Sequence, residues 1–193
     1  MTTPLIVMFI GPPGSGKTYF GTRLAKELGA LRLNSDALRL SMFGSLEEIE
    51  MIRHSENRSL LYDQVFGAMN YATEQALLAG YSVVYDAQQA KRSDRKRMEA
   101  LASKCGAIPI LVWLDTEPEV AIYRSSNRDQ HNDSHRYDEV KSRMLVERFA
   151  HNTDLPEIDE NLIKISGETK FEDQYAIFQK VAEEFQDNET ITA

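Results

Sequence analysis

The chain has 193 residues, 42% of them hydrophobic, enough for one domain with its own core. Its formal charge of −8 resides in the tail: eleven acidic and three basic residues lie from Asp154 onward, while the first 153 residues hold nineteen of each sign. That balance disfavours a surface built to hold long nucleic acid by counterion release.

The lone cysteine, Cys105, excludes an intrachain disulfide and suits a reducing compartment. The N-terminal run PLIVMFI lacks the basic flank of a signal segment, and no stretch approaches the ~18 apolar residues of a membrane span. The expectation is a soluble, cytoplasmic chain with no membrane partner, its oligomeric state open.

In chain order, short apolar runs alternate with helical patterns. Strands are expected at 5–10, 31–33, 82–85, 108–114 and 162–165. Between them, helices are expected at 19–28, 92–104, 117–128, 138–150 and 171–186, with a long helical stretch, broken once, at 47–79. Ser45-Leu-Glu-Glu48 and Thr116-Glu-Pro-Glu119 read as capping boxes.

Strands separated by helices need crossover connections, which imply a mainly parallel sheet covered on both faces. The expected architecture is a three-layer α/β fold of the P-loop NTPase class, five-stranded and forming one domain over 1–193. A small helical lid is expected at about 124–140, containing the polar stretch DQHNDSHRY, and an acidic segment at 154–193 that opens on a connector and closes on a frayed terminus, DNETITA.

GPPGSGKT, residues 11–18, matches G-x-x-x-x-G-K-[ST] in full, between a strand and a helix as that motif requires. Its glycines let backbone amides approach phosphate oxygens, Lys17 spans the β and γ phosphates, and the Thr18 hydroxyl reaches Mg²⁺. Gly11, Pro13, Gly14, Ser15, Gly16, Lys17, Thr18 and Tyr19 form the candidate nucleotide-binding set. The strand ending in Asp86 continues with Ala87, so the water-activating glutamate of motor-type ATPases is missing, and no N-K-x-D guanine reader is present. What remains is transfer to a hydroxyl, which needs a base and cations.

Asp36, just past the second strand, lies on the rim where the phosphate loop opens, and a carboxylate there can take a hydroxyl's proton; it or Ser35 would equally suit a helix cap. Arg39, one turn on, faces either the acceptor or solvent. Asp86 is a candidate to order Mg²⁺ through water or to pair with Arg39. Asp115 is given no chemistry. Arg124 and Arg128 share a helix face and can bring positive charge to the transferring phosphoryl group, or be solvated at a helix end; Arg136 is a weaker third. His131 and His135 lack the company a zinc site needs and read as polar lid residues. The basic run Lys91, Arg92, Arg95, Lys96 and Arg97 is either a solvated face or a contact for a phosphate-bearing substrate.

GPPGSGKT, NSDALR as N-x-D-x-x-R, VVYDA and YRSSNR as R-x-x-x-R agree in order and spacing over roughly residues 5 to 150 with a known group. On them the chain resembles the kinase domain of polynucleotide 5′-hydroxyl kinases and small AAA-type P-loop kinases, with zeta-toxin-like kinases more distantly similar. The resemblance implies ATP and Mg²⁺ as partners, Asp36 as general base, acceptor contacts from Arg39 and Asp86, and lid arginines at Arg124 and Arg128. Its acceptor is a polynucleotide 5′ end, a nucleotide sugar or a small metabolite, and the acidic tail disfavours the first. The other readings are an ATP-binding regulator that works through a protein partner, and a slow ATPase.

Overall fold

The computed structural model describes residues 3–127 and 137–192. Its strands are β1 Leu5–Ile10, β2 Leu31–Asn34, β3 Val83–Gln88, β4 Ile108–Asp115 and β5 Leu162–Ser166; its helices are α1 Lys17–Leu28, α2 Ser35–Phe43, α3 Leu46–Arg53, α4 Arg58–Leu78, α5 Arg92–Lys104, α6 Pro118–Asn127, α7 Glu139–Asn152 and α8 Phe171–Thr192. The strands form one five-stranded sheet in the order β2-β3-β1-β4-β5, with every pairing parallel.

Alternation along β1 decides which helix covers which face. Leu5, Val7 and Phe9 pack with Phe20 and Leu24 of α1 and Phe178 of α8. Ile6, Met8 and Ile10 pack with Val65 and Met69 of α4 and Met98 of α5. Both faces of β1 are thereby dry, which fixes the strand, and hence the loop that leaves it, in the middle of the sheet.

The long helical stretch breaks at residues 54–57, where the Ser55 hydroxyl turns back to the Ile52 carbonyl. Ser45 caps α3 by accepting from the Glu48 N–H, as its box requires, and Asp138 caps α7 through Lys141 N–H. Helix α8 runs on through Asp187 to Thr192 instead of fraying after Gln186, since neither proline nor glycine interrupts it. Helices α6 and α7 share a small core of their own, Ala121, Ile122 and Val146, beside the main one. Among the described residues no helix is long and apolar enough to cross a membrane.

Candidate active site

The phosphate loop leaves β1 at Gly11 and enters α1 at Lys17. Gly14 holds φ at 84°, and a Cβ there would collide with the Ala121 carbonyl of α6, so the loop can lie this close to that helix only with glycine. Gly16 precedes α1, and no described side chain caps that helix, which leaves its first N–H groups aimed at the loop's concavity. Lys17 Nζ folds back onto the carbonyls of Gly11 and Pro12, at 2.7 and 2.8 Å. Ser15 N–H donates to the Pro12 carbonyl at 3.1 Å. Thr18 and Tyr19 are exposed, and the Arg23 guanidinium lies over the Tyr19 ring at 3.7 Å.

Thr116 does something other than what its residue type suggests. Helix α6 starts at Pro118, and the Thr116 hydroxyl donates to the Ser15 carbonyl at 3.1 Å, tying the end of β4 to the phosphate loop. Gly167, after β5, completes this floor: a Cβ there would strike the Thr116 hydroxyl and the Ser15 carbonyl. Arg124 Nη1 donates to the Gly167 carbonyl at 2.7 Å, so this half-buried arginine is anchored to the loop after β5. Arg128, Arg136, His131 and His135 lie outside the described residues.

On the other side of the loop, the cap expected from Ser35 or Asp36 belongs to Asn34, whose side-chain oxygen accepts from the N–H groups of Asp36 and Ala37. The Asp36 carboxylate is therefore not used as a cap. It is 55% exposed and accepts from Arg39 Nη1 at 2.7 Å. Arg39 is 7% exposed, far from a surface arginine; its guanidinium lies near the rings of Tyr62 and Phe66, 5.2 and 5.6 Å from their centroids, and its Nε has no hydrogen-bond partner among the described residues.

The expected Asp86–Arg39 pair does not form. Asp86, 4% exposed, takes Arg32 Nε and Nη2 at 3.0 and 2.5 Å and Asn34 Nδ2 at 2.8 Å, all on Oδ2. Residue Arg32 escaped sequence reasoning, although it sits two positions before Asn34 and so on the same face of β2. Asp115, given no chemistry, pairs with Lys164 at 2.8 Å.

The basic run turns inward as well. Arg95 is fully buried, its Nε and Nη2 on the Glu160 carboxylate at 2.6 and 3.0 Å and its other donors on main-chain carbonyls of Gln89, Ala90, Asp154 and Leu155. Arg92 is met by Glu99, Glu157 and Asp159. Burial works against its charge, but the bonds from Glu99 and Glu157 outweigh it and push its pKa up. Asp154 accepts the Arg92 N–H and the Lys91 ammonium, which hold its carboxyl below the usual 3.8. The acidic connector at 154–160 thus neutralises Lys91, Arg92 and Arg95, while Lys96 and Arg97 remain exposed, Arg97 paired with Asp94.

The sequence matches the AAA domain family AAA_33 over residues 6–151. No curated protein is significantly similar in sequence. Among solved structures, an unliganded sugar kinase from Janibacter sp. HTCC2649 has a TM-score of 0.64 at 20% identity, covering 95% of each chain. A gluconokinase from Sinorhizobium meliloti 1021 has 0.65 at 16%, covering 100% of this chain and 98% of its own. The APS kinase of Mycobacterium tuberculosis, in complex with AMPPNP and APS, has 0.62 at 14%, covering 95% and 99%. At such identities the likeness establishes the fold, which is that of P-loop kinases.

Proposed function

We propose that this chain, which belongs to the AAA_33 family of AAA domains, transfers the γ-phosphoryl group of ATP to an alcohol hydroxyl, with Asp36 as general base. The observation that carries the reading is the position of that carboxylate. It follows the end of β2, on the rim where the phosphate loop leaves β1, and only β3 lies between the two strands. At ~4.8 Å per strand the separation is about 10 Å, the room a terminal phosphate and an acceptor hydroxyl need between loop and base.

Lys17 and the start of α1 would hold the β and γ phosphates. Mg²⁺ would be held by the Thr18 hydroxyl together with phosphate oxygens, and it would neutralise charge on the moving phosphoryl group. Arg39 would steady the Asp36 carboxylate and offer its unpartnered Nε to the acceptor. Arg124 would close the nucleotide side, and Arg128, four positions on in the sequence, is its candidate companion.

Two observations favour a small acceptor over a polynucleotide end. The basic run that could have tracked a phosphate backbone is largely consumed by the acidic connector. The structures of similar fold include a sugar kinase, a gluconokinase and an APS kinase. The same internal pairing takes the connector away from the reading in which the acidic tail recruits a protein partner.

The test is incubation with γ-labelled ATP and Mg²⁺ against a panel of sugars, sugar acids, nucleotide sugars and 5′-hydroxyl oligonucleotides, followed by mass spectrometry. A labelled phosphomonoester on one class of acceptor is expected. Label released only as inorganic phosphate in every mixture would contradict the proposal.

A further inference from the structure

The geometry points to Asp86 and Arg32 as positioning residues for Asp36, acting through the side-chain amide of Asn34 and not through a metal ion or the substrate. The inference deepens the reading above, since it takes Asp36 as the base. Asn34 and Asp86 stand opposite each other in the β2–β3 register. The Asn34 amide is used at both ends: Nδ2 donates to Asp86 Oδ2 at 2.8 Å, and Oδ1 accepts from Asp36 N–H at 3.1 Å and Ala37 N–H at 2.8 Å.

An asparagine amide carries a donor end and an acceptor end, and nothing in its own structure decides which end faces a helix. Here the choice is made from outside. A carboxylate only accepts, so Asp86 admits the NH₂ end and thereby turns the oxygen toward the first N–H groups of α2. Arg32 closes the arrangement by placing two donors on the same Oδ2, which holds a carboxylate with 4% exposure still.

The chain of contacts is thus Arg32, Asp86, Asn34, then the main chain of Asp36. Because phosphoryl transfer depends on placement within about 1 Å, a base on the second residue of a helix gains from a cap that cannot rotate. The pattern also explains why an asparagine stands at the cap: serine, threonine or aspartate would satisfy the same N–H groups but offer Asp86 no NH₂.

Amide hydrogen exchange by NMR on the full chain, with the Asn34 side-chain NH₂ resonances as a second readout, tests this without needing an acceptor. In Asp86→Ala the Asp36 and Ala37 amides are expected to exchange about tenfold faster, the weight of one hydrogen bond, with Met69 in the core of α4 unchanged and the Asn34 NH₂ resonances moved. Asn34→Asp keeps a cap residue but replaces the donor to Asp86 with a second carboxylate that Asp86 repels, so it should speed the same two amides; it also serves if Asp86→Ala fails to fold. Wild-type exchange at Asp36 and Ala37 in either folded variant would overturn the inference. So would a tenfold loss of Mn²⁺ affinity by the ATP complex of Asp86→Ala, which would make Asp86 a metal residue. An acceptor panel without transfer would defeat the base role of Asp36 and leave these exchange results standing.

Discussion

Replacing Arg95 with methionine tests whether the basic run at 91–97 is structural. The guanidinium is fully buried and the Glu160 side chain is 2% exposed, with two bonds of 2.6 and 3.0 Å between them. Removing one partner of such a pair costs about 3–5 kcal/mol where the other charge is left alone; here the Glu157 N–H at 2.7 Å and Arg92 Nε at 3.5 Å still attend Glu160, so the low end of that range is expected from the pair itself. The carbonyls of Gln89, Asp154 and Leu155 lose a donor too, while Ala90 keeps the Asp154 N–H. With a urea slope of about 2 kcal/mol per molar, the unfolding midpoint should fall by about 2 M. Arg95→Met with Glu160→Leu removes the stranded charge and should recover about 1–3 kcal/mol of the loss, which also covers the case in which the single variant does not fold. A midpoint shift below about 0.5 M, with ATP or acceptor binding lost instead, would refute the reasoning and return the run to the substrate.

Gly14→Ala meets both a left-handed φ and the Ala121 carbonyl, and should lose at least about 2 kcal/mol of stability or distort the loop so that ATP no longer binds, as calorimetry would show. Thr116→Val releases the Ser15 carbonyl and should weaken ATP binding about 2- to 10-fold in titration calorimetry. Asp154 has a folded pKa below its ordinary 3.8, so the stability it lends is present above that value and is lost as pH falls through the folded one. Urea unfolding below pH 4 should therefore show a smaller difference between wild type and Asp154→Asn than at pH 7. Burial raises the Cys105 thiol, and Glu74 adds to this, so alkylation at pH 7 should be slower for the folded chain than in urea.

The middle of the sheet was legible because β1 and β4 are near-continuous apolar runs, and burial on both faces leaves few other arrangements for such runs. Ser45 was legible as a cap because the box that marks it lies within four consecutive residues. Asn34 and Thr116 were not, because which of several polar neighbours caps a helix depends on side-chain direction, and at Asn34 that direction is set from another strand. The basic run was ambiguous for the same reason at longer range: Arg95 meets Glu160 across 65 residues, and no local pattern reports such pairing. Arg32 was within reach, since strand alternation puts it beside Asn34 once the partner across β3 is known to be Asp86.

The measurement closest to the central claim is single-turnover transfer from labelled ATP by Asp36→Asn, alongside its ATP affinity. The account predicts an affinity within about threefold of wild type and transfer slower by about 10²-fold or more, since the amide accepts no proton. Transfer at the wild-type rate would contradict it and remove Asp36 from the chemistry.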